Sequence, residues 1–221
     1  MGNGGAAISE HRIYSCDDHL DMNAVPPTLW VERVAEKYRE AVPHVVSHGK
    51  VDLWMVEDRI TGVSGPYGEI ETALDREGMG GDPFRPSDPR RRMQDMERDG
   101  IWASMVYGPT ALFSYGIDDP AVNKMAIRAW NDWAAEVFNA YMPDRLNAFP
   151  ELPVTSPRDA VEELERVAAL GHRGACINGF DADIRDPDWD LLWSAAAAAE
   201  LPLSFHTVSY THLTLPTKRI V

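Results

Sequence analysis

The feature that most constrains this chain is a repeated helix start, in which an acidic or hydroxyl residue is followed directly by proline. It predicts four helices, which begin at Asp88-Pro89, Asp119-Pro120, Ser156-Pro157 and Asp186-Pro187. The side-chain oxygen accepts hydrogen bonds from the backbone amides of the first helical turn, which have no partner within the helix. Proline at the first helical position costs no hydrogen bond, because an amide there would have no such partner either. The helices that begin at Pro89 and Pro157 are expected to end at Gly100 and Gly171, because glycine favours the left-handed conformation found there.

Short apolar runs alternate with these helices, one before the first helix and one after each of the four. They predict five strands, over residues 12–16, 101–107, 146–149, 174–177 and 201–205. Nearly continuous apolar runs between helices are typical of a parallel sheet whose outer face is covered. The predicted fold class is therefore α/β.

Five strand–helix units fit either an open doubly wound sheet or part of a closed barrel. A (β/α)8 barrel usually takes about 250 residues, so this chain would hold an incomplete TIM-type barrel with about five of eight strands. Residues 43–86 are predicted to form an insert. The alternating run 51–56 indicates a hairpin there, and the glycine-rich pieces 62–68 and 78–81 indicate a mobile loop.

Residues 208–221 are predicted to be foreign to the native protein. Residues 208–217 back-translate in one frame into codons that match the end of a transposase-based sequencing adaptor. The alternative is a genuine strand, since Val, Tyr, Thr and Leu favour strands. We therefore expect residues 9–207 to be the N-terminal part of a longer barrel, an inactive fragment. Its first and fifth strands would expose free edges, which predicts aggregation or chaperone binding.

Net charge and composition limit the classes of molecule that this protein can be expected to bind. The net charge is −14, from 35 acidic and 21 basic residues, which makes nucleic acid and anionic membranes poor partners. No apolar run approaches the roughly eighteen residues of a membrane span. We expect a cytoplasmic protein with a small-molecule substrate. The sequence leaves open whether the protein forms a homo-oligomer. Cys16 and Cys176 lie in apolar strand-like segments, which predicts buried, reduced thiols.

Candidate metal ligands lie at two strand ends. Asp17 and His19 are two residues apart at the end of the first strand, so their side chains point to the same side, and this oxygen–nitrogen pair suits zinc or manganese. In the alternative, Asp17 or Asp18 caps the next turn and His19 is a polar loop residue. His206 ends the fifth strand, on the rim where parallel barrels place their active sites. In the alternative, His206 is a core or turn histidine whose hydrogen bonds are satisfied.

Two further residues are candidates on the same rim. Glu151 follows the third strand, and Asn178 ends the fourth. Either could contact the metal ligands or a substrate, and either could instead be a structural or turn residue.

Seven segments of the chain, in their order and spacing, resemble one family. It is the amidohydrolase-related branch of the amidohydrolase superfamily, which contains the aminocarboxymuconate-semialdehyde and gamma-resorcylate decarboxylases. The resemblance spans about residues 9–207. The segments that carry it are residues 17–19, 26–30, 92–100, 130–133, 171–174, 186–193 and 201–206.

The resemblance implies a distorted (β/α)8 barrel with one divalent metal, zinc first and manganese second. Asp17 and His19 match the strand-one ligands, and His206 matches the strand-five ligand. The family's general base, a histidine after strand six, and its aspartate at the end of strand eight would lie beyond residue 207. The catalytic residue is therefore not assigned within this chain.

The implied chemistry leaves two reactions open. A divalent ion lowers the pKa of a bound water or polarises a carboxylate or carbonyl, and a histidine moves the proton. This predicts a metal-dependent hydrolase or a non-oxidative decarboxylase acting on a small carboxylate or aromatic substrate. The alternative from another class is a non-catalytic barrel that binds a small ligand or a partner.

Overall fold

A computed structural model describes residues 12–66, 86–110, 112–177, 183 and 185–206. The predictions made for residues 67–85, for Asn178 and for the tail at 208–221 lie outside these residues. The strands are β1 Ile13–His19, β2 His44–His48, β3 Val51–Val56, β4 Arg59–Ser64, β5 Ile101–Tyr107, β6 Leu146–Ala148, β7 Glu151–Leu152, β8 Ala175–Ile177 and β9 Leu203–Phe205. The α-helices are α1 Pro89–Asp99, α2 Pro120–Trp133, α3 Pro157–Ala169 and α4 Asp190–Ala198.

The capping residues act at the helix starts as predicted. Asp88 Oδ1 accepts hydrogen bonds from the amides of Arg90 and Arg91 at 3.0 and 3.1 Å. Gly100 ends α1 with a φ of 74°. The fourth helix differs from the prediction, because its first turn, Pro187–Trp189, is a 3-10 turn and the α-helix follows it.

Within each parallel sheet, neighbouring strands follow one another in sequence order. β1, β5 and β6 make one parallel sheet, and β7, β8 and β9 make another. The predicted third strand, residues 146–149, is β6, and it continues after Phe149 and Pro150 as β7, which was not predicted. An order without reversal is typical of a barrel, whereas a doubly wound sheet reverses at a switch point. The α/β class is confirmed, with parallel sheets.

The third strand breaks because it changes partner at Pro150. Phe149 N donates to Val106 O in β5 at 2.8 Å, whereas Pro150 O accepts from Cys176 N in β8 at 2.7 Å. Proline has no amide hydrogen to continue the first ladder. The strand therefore passes from one neighbour to the next at this residue.

The insert contains more than the predicted hairpin. β2, β3 and β4 form a three-stranded antiparallel sheet. Trp54 in β3 is fully buried, donates from Nε1 to Met22 O at 2.7 Å and meets the Trp30 ring edge-on at 5.2 Å. The insert therefore packs against the same hydrophobic core as α2.

One buried amide connects α2 to the second parallel sheet. Asn131 in α2 donates to Glu151 O at 2.9 Å and accepts from Glu151 N at 2.8 Å. Its Nδ2 also donates to the buried Glu163 of α3 at 2.7 Å, and Arg166 pairs with the same carboxylate. Asn131 therefore holds the backbone of Glu151, one of the predicted rim residues.

The outer strands leave apolar side chains in solvent. β1 and β9 each pair on one side among the strands that the structure describes, and Ile13, Tyr14 and Phe205 are about half exposed. Cys176 is buried as predicted, but Cys16 is exposed, because it lies on this outer strand. Within the described ranges, no helix is long and apolar enough to cross a membrane.

Replacing Asp88 with alanine is expected to destabilise the fold by about 1 kcal/mol, because two amides of α1 lose their acceptor. Urea unfolding measures the change. Asp58→Ala, in an exposed turn, is the control and should change the free energy of unfolding little. Equal effects of the two substitutions would contradict the assigned cap.

Candidate metal centre

Three side chains from opposite ends of the chain converge at the carboxyl ends of β1 and β9. Asp17 Oδ1 lies 3.3 Å from His19 Nε2 and 3.2 Å from His206 Nε2. One ligand atom from each residue lies within 4.8 Å of the other two. The structure thus brings together all three of the predicted metal ligands.

The two carboxylate-to-imidazole separations fit a shared divalent ion. An ion held about 2.0–2.2 Å from its ligand atoms keeps neighbouring ligands roughly 3.0–3.5 Å apart. Both carboxylate-to-imidazole distances fall in that range. One oxygen and two nitrogen donors form a set that suits zinc or manganese.

His206 is the most enclosed of the three groups. Its side chain is 9% exposed, against 26% for His19 and 74% for Asp17. The ring stacks on Tyr107 with the centroids 4.0 Å apart, and the Tyr107 hydroxyl lies 2.7 Å from Ser204 Oγ. Burial lowers the pKa of His206 below its usual 6.5, although Asp17 opposes this effect. This shift favours the neutral imidazole, which is the form that binds a metal.

Glu151 is a buried acid outside this cluster. It is 2% exposed, and its Oε1 accepts from Thr110 Oγ1 at 2.6 Å. Burial raises the pKa of Glu151 to about 7, although hydrogen bonds from Thr110 and Cys176 lower it. Cys176 lies between this carboxyl group and the backbone of His206. The described contacts of Glu151 are with these neighbours and with Asn131, and a contact with the metal or substrate stays a prediction.

Two neighbours of the ligands were not predicted. Tyr107 supports the His206 ring, and Arg92 binds Asp18 on the opposite side of β1. The position of Tyr107 at the end of a predicted strand could have suggested a place on the rim. Arg92 lies in a basic run at a helix start, where the sequence carries no sign of its partner 74 residues away.

A protein-family model described as Amidohydrolase matches residues 44–220. Among curated proteins, the gamma-resorcylate decarboxylase of Polaromonas sp. strain JS666 is 35% identical over 126 residues. That alignment covers 52% of this chain and 38% of the relative. The aligned chain spans less than two fifths of the curated relatives that it matches.

Two solved structures share the fold. An amidohydrolase from Mycobacterium avium subsp. paratuberculosis aligns with a TM-score of 0.67 and 20% identity, over 92% of this chain and 60% of the other. A dihydroxybenzoic acid decarboxylase from Polaromonas sp. JS666, with bound manganese and 2-nitroresorcinol, aligns with a TM-score of 0.53 and 21% identity. The second alignment covers 88% of this chain and 49% of the other.

Proposed function

Because the chain belongs to the amidohydrolase family, we propose that it carries the metal centre of a non-oxidative decarboxylase for small aromatic acids. The observation that carries this proposal is the convergence of Asp17, His19 and His206 on one point. The 35% identical relative is a gamma-resorcylate decarboxylase, which supports carboxy-lyase rather than hydrolase chemistry. The two parallel sheets would be the first five strands of a (β/α)8 barrel.

The metal would be held by Asp17 Oδ1 and by the Nε2 atoms of His19 and His206. The donor set suits zinc, and the related structure that contains manganese supports Mn²⁺ at least equally. When bound, such an ion attracts a substrate carboxylate and a neighbouring oxygen. The single negative charge of Asp17 leaves a divalent ion with net positive charge, which favours an anionic substrate.

The exposure of the three ligands indicates the side from which a substrate would reach the metal. Asp17 and His19 are the more exposed ligands, whereas Tyr107 covers one face of the His206 ring. A substrate would therefore arrive from the side of Asp17. The decarboxylation breaks the bond between the ring and the carboxyl carbon, releases CO2 and leaves a ring carbon to be protonated. The family resemblance implies that a histidine after strand six moves this proton.

Turnover by the chain, extended to the length of its curated relatives, tests this function. Loaded with Mn²⁺ or Zn²⁺, that protein should release CO2 from hydroxybenzoates, and removal of the metal by a chelator should stop the reaction. Asp17→Ala is the matched variant and should be inactive. Hydrolysis of amide or ester analogues without CO2 release would assign hydrolase chemistry instead. Turnover that survives metal removal would contradict the proposed centre.

A further inference from the structure

β1 is irregular next to the ligand Asp17. Between two regular pairs with β5, β1 has two residues, Cys16 and Asp17, where β5 has only Met105. Both of these β1 side chains are exposed, so the alternation of faces is interrupted there. A bulge of this kind leaves the extra residue unpaired and re-aims a side chain. The direction of the Asp17 carboxylate therefore depends on what keeps the bulge in place.

Asp18 ties the bulge to two other elements. Its Oδ1 accepts from Ser15 Oγ at 2.6 Å, a hydrogen bond that spans the bulge. Its Oδ2 accepts from Arg92 Nη2 of α1 at 2.9 Å and from Ser104 Oγ of β5. Asp18 and Arg92 are both largely shielded from solvent. One carboxylate thus joins β1, α1 and β5 directly beside the metal ligand.

We propose that Asp18 and Arg92 are positioning residues, which lock this bulge and so aim Asp17 at the two imidazoles. The inference rests on the proposed metal centre and deepens it. Asp17 is largely exposed, and its described side-chain contacts are with His19 and His206. Packing therefore contributes little to its direction, and the backbone on either side has to supply it. Groups that orient metal ligands typically change metal affinity by about 10–100-fold when they are removed.

Cobalt binding to the 221-residue chain tests the proposal, because the Co²⁺ absorption spectrum reports the ligand set. Asp18→Asn and Arg92→Gln should each weaken Co²⁺ binding by about 10–100-fold. Their spectra should shift towards that of Asp17→Ala. Arg92→Lys keeps the charge and one donor, so it should recover part of the affinity that Arg92→Gln loses. Ser15→Ala removes only the bond across the bulge, and it should shift the spectrum even if Asp18→Asn fails to fold.

Asp159→Asn is the matched control. Asp159 is also a partly buried carboxylate with one cation, Lys124 at 2.7 Å, and two hydroxyl partners, Thr155 and Ser156. Loss of the Asp159 carboxylate should lower the free energy of unfolding and leave the Co²⁺ affinity and spectrum unchanged. The comparison separates an effect on the direction of Asp17 from general destabilisation. If Ser15→Ala and folded Asp18→Asn keep the Co²⁺ affinity and spectrum of the unaltered chain while His206→Ala abolishes binding, the positioning role of Asp18 and Arg92 is overturned. The proposed metal centre would stand in that case. If the unaltered chain binds no Co²⁺, both proposals fail.

Discussion

Replacing His206 with alanine is expected to weaken divalent-metal binding by more than about 100-fold, beyond the range seen when groups around a ligand are removed. His206 supplies one of two nitrogen donors, and it is the donor held most firmly, between Tyr107 and the Asp17 carboxylate. Alanine also leaves an open space that water can enter. Calorimetric titration of metal-free protein with Mn²⁺ or Zn²⁺ measures the change.

A buried histidine outside the cluster provides the control for this substitution. His172 is 6% exposed, and its Nε2 lies 3.1 Å from Asn131 O. His172→Ala should lower the free energy of unfolding and leave metal affinity unchanged. Equal metal binding by His206→Ala and the unaltered chain would show that His206 is a structural histidine, as the alternative interpretation of the sequence allowed.

Glu151 is expected to make the protein less stable at pH 8 than at pH 5 by about 2–3 kcal/mol. The ordinary pKa of 4.5 applies to the unfolded chain, and burial raises the pKa to about 7 in the folded protein. Between these values the folded state holds a proton that the unfolded state has released. The stabilisation from this proton is therefore complete below pH 4.5, and it is lost as the pH rises through 7.

Glu151→Gln removes this dependence, because glutamine stays neutral and still accepts from Thr110. The variant should gain stability relative to the unaltered chain as the pH rises from 5 to 8. Denaturant unfolding of both proteins at the two pH values measures the difference. Glu162→Gln, at an exposed position of α3, should show no such gain. A parallel pH response of Glu151→Gln and the unaltered protein would contradict the raised pKa.

Local chemistry predicted much of the fold. An N-cap followed by proline acts through neighbouring amides, so Asp88, Asp119 and Ser156 could be recognised without tertiary contacts. The partner change at Pro150 and the third strand of the insert depend on which strands meet, and hydrophobic periodicity does not contain that information. The exposure of Cys16 was missed for the same reason.

The ligands of the candidate centre could be predicted because the ends of parallel strands share a rim. That rule brings His206 to Asp17 across 189 residues of sequence. The supporting groups could not be predicted in this way. Arg92 reaches Asp18 from a helix, and the stacking of Tyr107 on His206 depends on ring orientations, which strand alternation leaves unspecified.

Pulsed electron paramagnetic resonance of Mn²⁺ bound to the unaltered chain tests the central claim most directly. It counts the histidine nitrogens bonded to the ion, whether the protein is monomeric or associated. The account predicts one bound Mn²⁺ per chain with two imidazole nitrogens, from His19 and His206. No retained ion, or an ion bound by oxygen atoms alone, would contradict the claim that these residues form a metal centre.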